Sequence, residues 1–317
     1  MRKLRGLVLS AIGMLAVLSP TTVLAEKVAL TFDDLPLNGE LPPGMTRAGI
    51  VRDVLGILKA RRVPPVYGFI NARRSEDAVA DGAEALRLWV AGGQLVGNHS
   101  YSHMDLSRVP AEEFLADVRR NETVLQLLDP GGSWRWFRYP YLHEGDSLEK
   151  RNQVRQGLKA RGYRIAQVTL DYEDYLWNTP YARCVARDDR KAIEWLRSSY
   201  LEITAAYLEG NRQMARQVYG RPIDHVLLLH LGAYSSTILP ALLDLLQAQG
   251  FELATLEEVQ RDAAYVADTE RVSSNTGSLL EQWMDVRKLP YPRLPRKPRE
   301  QLEEICKAPA ATAGGGS

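Results

Sequence analysis

From Lys27 onward the chain alternates short apolar runs with longer stretches whose apolar residues recur every three to four positions. The runs predict strands at Val28–Phe32, Val66–Ile70, Gln94–Gly97, Trp136–Tyr139, Arg164–Leu170, Val226–Leu229 and Phe251–Ala254. The helical period predicts helices over Arg47–Arg61, Ala83–Ala91, Ala111–Leu128, Ser147–Arg161 and Ile238–Gln249. Strand followed by helix, repeated without tight hairpin signals, is the pattern of an α/β fold with a parallel sheet and right-handed crossovers. A (β/α) barrel short of eight units and an open doubly wound sheet both satisfy it. One stretch breaks the rhythm, Trp177–Pro222, where Lys191–Tyr219 carries a helical pattern longer than one crossover requires. It reads as an inserted helical element, expected to form one wall of a site.

Both ends of the chain depart from this pattern. Arg2, Lys3 and Arg5 precede an apolar run from Leu7 to Leu18, and Val23-Leu24-Ala25 closes it with a small residue, the layout of a cleaved export leader over residues 1–25. The run is shorter than the ~20 residues a spanning helix needs, so no integral membrane segment is expected in the mature chain, which is expected in the periplasm or outside the cell. After Val259 the alternation stops, and Lys288–Arg299 interleaves four prolines with Lys288, Arg293, Arg296, Lys297 and Arg299. That composition predicts an extended surface strap, followed by a tail of small residues, Ala308–Ser317, expected to be disordered. The division is therefore a leader (1–25), a barrel domain (26–262), and a strap with its tail (263–317).

Composition adds exclusions. With 45% hydrophobic residues in 317, the chain is an ordinary globular one. Without the leader's three basic residues it holds 37 basic and 39 acidic groups, a formal charge of −2 that does not suit a nucleic-acid binder. Cys184 and Cys306 are the only cysteines, and the sequence leaves open whether they pair.

Candidate chemistry gathers where predicted strands end. Thr31-Phe32-Asp33-Asp34 sets two carboxylates after an apolar strand, and they diverge unless the backbone turns between them. Asn98-His99-Ser100-Tyr101-Ser102-His103 places two of the five histidines four positions apart, a spacing that a helical turn would bring to one face. Two imidazoles and a carboxylate form a three-donor set with a position open for water. Phe137-Arg138-Tyr139-Pro140-Tyr141 ends a strand in a proline-fixed turn, where an Arg can reach a carboxylate and freed N–H groups can face an oxyanion. Asp171-Tyr172-Glu173-Asp174-Tyr175 and Val226-Leu227-Leu228-Leu229-His230 close two further strands. In parallel α/β folds such ends meet on one side of the molecule. His225 lies at the opposite end of its strand and is a poor ligand candidate, whereas His143 could line the cleft or sit on an exposed loop, the loop being preferred.

These five ordered clusters, from Thr31 to His230, resemble the motifs of the polysaccharide deacetylases, carbohydrate esterase family 4. The resemblance implies a distorted (β/α) barrel, often seven-stranded, and a hydrolase that removes N-acetyl groups from amino sugars of a cell-envelope or extracellular glycan. It implies Asp34, His99 and His103 as ligands of a divalent metal, zinc with cobalt or nickel as alternatives. Asp33 would be the general base, Arg138 its orienting partner, the Tyr141 N–H part of an oxyanion hole, His230 the general acid, and Asp174 the group that tunes it. Leu142 stands where the family commonly has Gly, Tyr175 where it has Trp, and Leu231 where Asp is common; these departures bear on substrate shape. The same chemistry on an O-acetyl ester or a non-sugar amide, and a non-catalytic glycan-binding barrel, are the alternatives. Neither a protein partner nor the particular acetylated substrate can be read from these residues.

Overall fold

The structure, a computed structural model, describes residues 25–272 and 277–307. The predicted leader, apart from Ala25, and the predicted tail 308–317 lie outside the described residues. The chain runs β1 (Lys27–Asn38), α1 (Arg47–Ala60), β2 (Tyr67–Ile70), α2 (Val79–Ala91), β3 (Leu95–Asn98), α3 (Ala111–Leu128), β4 (Trp136–Phe137), α4 (Leu148–Ala160) and β5 (Arg164–Ile165). It continues through α5 (Asn178–Ala186), α6 (Arg190–Tyr219), β6 (His225–Gly232), α7 (Ser235–Ala248), β7 (Glu252–Leu253), α8 (Leu256–Val259), α9 (Leu279–Val286) and α10 (Arg299–Glu304).

The strands are parallel, in the order β5-β4-β3-β2-β1-β6, with β7 paired to the start of β1. The segment predicted as one strand, 164–170, is divided between the two edges of this sheet. Arg164 and Ile165 pair with β4, whereas Leu170 bridges Leu227 of β6, its N–H donating to the Val226 carbonyl at 3.0 Å. The segment thereby joins the edges of a curled sheet, and the fold is the distorted seven-stranded barrel rather than the open sheet.

Alternation along the strands explains both cores and, at their upper end, the site. Val28, Leu30 and Phe32 face outward, against Ile50 and Val54 of α1, Trp89 of α2 and Leu239 of α7. Ala29 faces the barrel interior with Tyr67, Phe69, Trp136, Ala166 and Val226. Each large side chain removed from water in this way contributes roughly 1.5–3 kcal/mol. Two residues further along each strand, the inward register of β1 reaches Thr31 and then Asp33, and that of β6 reaches Leu228 and then His230; Asp33 and His230 are paired neighbours. Gly97 lets the interior close, because a Cβ there would stand 2.5 Å from the Phe69 ring and 3.0 Å from the Trp136 carbonyl oxygen.

Helix ends carry their local signals. Thr46 and Ser147 cap α1 and α4, Asp189 caps α6, and Gly220, at φ 68°, ends α6 in the left-handed conformation. Helix α6, the core of the predicted insertion, packs Leu196, Tyr200, Ile203 and Leu208 into the main core and Met214, Ala215 and Val218 against Leu280 and Met284 of α9. Cys184 of α5 and Cys306, just beyond α10, form a disulfide, which resolves the pairing that the sequence left open.

Candidate metal centre and active site

A cavity of about 250 Å³ opens where the strands end, lined by Asp33, Asp34, His99, His103, Tyr141 and His230 together with Asn38, Arg74, Leu142, Asp171, Glu173, Tyr175 and Leu228. A larger open cleft of about 770 Å³, beside α4 and the segment 265–269, has no histidine in its lining, and its carboxylates, Glu257 and Asp268, are not among the converging ones.

Asp33 and Asp34 both reach the cavity because the backbone turns between them. Asp33 keeps the inward alternation of β1, while Asp34 adopts φ 66° and the strand pairing shifts register beyond Asp33. His99 and His103 are brought together differently from expectation. They lie in a bent loop rather than on a helical turn, with Ser100 at φ 61° and His103 at φ 58°. Buried amides hold that loop: Asn71 donates to the carbonyls of His99 and Ser100 at 2.5 and 3.0 Å, and Asn98 Oδ1 accepts from the Ser100 N–H at 2.9 Å.

The donor geometry suits a divalent cation. His99 Nδ1–H donates to the Arg138 carbonyl at 2.7 Å, which fixes the tautomer and leaves Nε2 as a free lone pair. That Nε2 lies 3.8 Å from Asp34 Oδ1, and His103 Nε2 lies 3.4 Å from the same oxygen. One donor atom from each of the three residues falls within 4.8 Å of the other two. Asp34 Oδ2 accepts from Asn38 at 2.7 Å and from Arg74 at 3.0 Å, whereas Oδ1 is buried with no hydrogen-bond partner. A buried carboxylate oxygen left bare is costly unless something electropositive meets it, and two imidazole nitrogens converge on the same space. Burial opposes charge on Asp34, but His103 and Arg74 outweigh it and hold the carboxyl well below its usual range. Burial pushes both imidazoles down, toward the neutral form that ligates metal.

Two hydrogen-bonded ion pairs flank this centre. Asp33 accepts from Arg138 Nη1 at 3.1 Å, and Arg138, itself buried, donates from Nε to the Ala166 carbonyl at 2.7 Å and from Nη2 to Thr31 Oγ1 at 3.2 Å. Burial pushes Asp33 up to about 6 against the opposing charges of Arg138 and His230. Across the cavity, Asp174 Oδ1 accepts from His230 Nδ1 at 2.7 Å, and Oδ2 accepts from the His230 backbone N–H at 2.8 Å. Burial disfavours the imidazolium there, yet the charge and hydrogen bond of Asp174, aided by Asp34 and Asp33, raise His230 to about 9. The Tyr141 ring stands edge-on to His103 at 4.4 Å, and the Tyr175 ring edge-on to His230 at 5.1 Å.

Other sequence readings are corrected. The insertion does not wall the cavity: α5 and α6 lie behind it, where Asn178 bonds Asn38 at 2.9 Å and the Tyr200 hydroxyl meets Tyr172 at 2.7 Å. His143 is not a free loop residue; its Nδ1 pairs with Asp105 Oδ1 at 3.0 Å and its side chain is 14% exposed. His225 is buried at the far end of β6, beside Thr169 and Phe251. Arg74 and Asn38, both on Asp34, went unnoticed in the sequence. Asn38 follows Asp34 by four residues on the same strand, whereas Arg74 gives no local signal because a turn after β2 delivers it.

Residues 21–166, which include the first three clusters and stop short of Asp174 and His230, match the family model of the polysaccharide deacetylases. A chitin deacetylase of Colletotrichum lindemuthianum is 29% identical over 159 residues, 48% of this chain and 54% of that protein. A peptidoglycan-N-acetylglucosamine deacetylase of Bacillus cereus is 29% identical over 151 residues, 47% of this chain and 46% of that one. The chain thus spans about half the length of these curated relatives. The solved structure of a polysaccharide deacetylase from Bacillus cereus superposes with a TM-score of 0.50 at 19% identity, covering 73% of this chain and 91% of that one, and shares the barrel fold. The segment 21–166, which carries the Asp-Asp, His-Ser-Tyr-Ser-His and Arg-Tyr-Pro-Tyr clusters, is thus similar to the polysaccharide deacetylases.

Proposed function

We propose that this protein is a metal-dependent hydrolase that removes N-acetyl groups from amino sugars of a chitin-like or peptidoglycan-like glycan. The observation that carries the reading is the bare, buried Asp34 Oδ1 facing the Nε2 atoms of His99 and His103. A divalent ion held by these three residues, zinc by the donor set with cobalt or nickel acceptable, supplies Lewis acidity toward a water and the acetamide carbonyl.

The rest is done by the chain's own groups. Asp33 takes a proton from the attacking water, and Arg138 fixes that carboxylate from behind, through contacts that spend the guanidinium on Thr31 and Ala166 as well. The Tyr141 N–H, on a backbone at φ 59°, would donate to the developing oxyanion. His230 protonates the departing amine from Nε2, because Asp174 holds the proton on Nδ1. Tyr141, 49% exposed, and Tyr175, 38% exposed, offer apolar faces on opposite sides of the centre for sugar rings.

The leader over residues 1–25 and an exported location belong to the same proposal. They are supported by the Cys184–Cys306 disulfide, a bond that persists in oxidising compartments, and no helix among the described residues is long and apolar enough to cross a membrane. The proposed working unit is the barrel over 26–262 together with the strap that begins at 263.

Acetate release from chitin oligomers, peptidoglycan and an O-acetylated xylan, with and without chelator, tests this reading. Asp34→Ala, His99→Ala and His103→Ala should each lose metal and activity together. Asp33→Ala should keep the metal and lose roughly 10²-fold or more in rate, the scale of a general base. Turnover on the xylan alone would move the assignment to esters, and an inactive, metal-free wild type would leave a glycan-binding barrel.

A further inference from the structure

Glu173 separates Asp171 from Asp174 on the loop that presents the His230 partner. It is not a glycine, yet it adopts φ 61°, ψ 49°, and its N–H donates to Asp171 Oδ1 at 2.8 Å. Its carboxylate turns toward the C-terminal strap, where Lys297 Nζ lies 2.6 Å from Oε2 and the Arg299 guanidinium contacts the same oxygen. Two cations from a segment more than 120 residues away converge on one acid of the cavity wall.

The strap that carries them is fastened on both sides. Leu294 packs so closely on Gly210 of α6 that a Cβ there would approach it to 2.4 Å, and the Lys297 ammonium sits 4.7 Å from the Tyr207 ring centre. Beyond Arg299, the Arg183 guanidinium of α5 donates to the carbonyls of Leu302, Glu303 and Ile305, and Cys306 is bonded to Cys184. The insertion helices and the strap thus form a bracket that meets the cavity at Asn38, through Asn178, and at the Glu173 clamp. Burial opposes a charge on Glu173, but Lys297 and Arg299 hold its carboxyl below the usual range, so the clamp stays ionic.

We propose that Lys297 and Arg299 are positioning residues for His230: by gripping Glu173 they set the left-handed turn that aims Asp174 at the imidazole and stands the Tyr175 ring against it. Asp174 and Tyr175 immediately follow the clamped residue, and both meet His230, at 2.7 Å for the hydrogen bond and 5.1 Å between ring centres. The inference deepens the proposed hydrolase and rests on His230 as its proton donor. Otherwise free to swing, the turn would lose the alignment that proton transfer requires.

The test is the double variant Lys297→Met/Arg299→Met in the full chain, compared with Lys297→Arg/Arg299→Lys. The Met pair should lower kcat by roughly 10- to 100-fold, a fraction of what a general acid supplies, with KM within about twofold and metal content unchanged. The charge-conserving pair should restore most of the loss. A second reading needs no turnover: the downfield proton resonance of His230 Nδ1–H, assigned by its loss in Asp174→Asn, should shift or broaden in the Met pair. Where the Met pair misfolds, Glu173→Gln tests the same clamp with the strap intact. Unchanged kcat and an unmoved resonance in a folded variant would overturn the proposal. Absence of activity in the wild type would instead remove the hydrolase reading, leaving the resonance to decide the positioning claim.

Discussion

Replacing Asp174 by Asn should move the alkaline limb of the pH–rate profile and leave the metal in place. The change removes one charge while keeping the shape of the side chain. In the native protein both carboxylate oxygens are committed, one to His230 Nδ1 at 2.7 Å and one to the His230 backbone N–H at 2.8 Å. Burial favours neutral imidazole, and Asp174 is the first of the groups that overcome it, carrying His230 from 6.5 to about 9. That rise corresponds to about 3 kcal/mol in favour of the protonated ring. A proton donor must be protonated to act, so the wild-type rate should rise as Asp33 ionises and fall as pH passes about 9. Without the Asp174 charge the limb should drop to the ordinary 6.5 or below. At pH 8 the protonated fraction then falls from about nine-tenths to about 3%, a loss of roughly 30-fold, whereas at pH 5.5 the two enzymes should differ little through this effect. Initial rates of acetate release between pH 5 and 10, alongside metal content, give the answer. Stability follows the same linkage: a folded pKa above 6.5 contributes stability that is complete below that pH and is lost as pH rises through about 9, so the Asn variant should lose this slope. A folded, metal-loaded Asn variant whose limb stays near 9 would refute the pairing as the source of the proton donor.

Two further expectations concern the scaffold. The Cys184–Cys306 bond closes a loop of 122 residues, for which chain entropy gives a stabilisation of about 4–5 kcal/mol, so Cys184→Ser/Cys306→Ser should lower the denaturant midpoint substantially; equal midpoints would contradict the pairing. Gly97→Ala should cost about 1–3 kcal/mol by pressing a methyl into the Phe69 ring and the Trp136 carbonyl, and urea unfolding at wild-type stability would mean that the barrel interior yields there.

What the sequence revealed and what it hid follow one physical division. Period and alternation are local, so the strands, the long α6 and the order of the clusters were legible: Val28, Leu30 and Phe32 announce an outward face, and Asp33 an inward one. The convergence of Asp34, His99 and His103 was legible because strand ends in a parallel sheet share one side of the molecule. Closure was not, since the run 164–170 looks like one strand until β4 claims its start and β6 its end. Nor was the second layer of the site. Arg74 reaches Asp34 from 40 residues away, and Lys297 reaches Glu173 from 124 residues away. Neither carries a periodicity, because long flexible cations are placed by whatever turn delivers them. The insertion was seen as a helix but misplaced as a wall, since its buried face reads the same whether it covers a cavity or the core behind one.

The backbone of the cavity completes the argument. Asp34, His103, Tyr141, Leu142 and Glu173 all line it, and all have φ between 57° and 66°. Residues with a Cβ avoid that region at a cost of order 1 kcal/mol, and it persists only where surrounding structure over-determines it. Asp34 sits at the register shift inside β1 and the other four follow a strand, and at each position the chain turns while still lining the cavity. Glycine would relax the turn and forfeit the side chain. The trade is visible at Leu142, at φ 57°, where the strained residue supplies part of the cavity wall beside Tyr141. Strain is tolerated at Asp34 by Asn38 and Arg74, at Glu173 by Lys297 and Arg299, and next to His99 by Asn71 and Asn98. The polar groups that sequence reading could not find are thus the ones that hold the backbone where the legible residues need it.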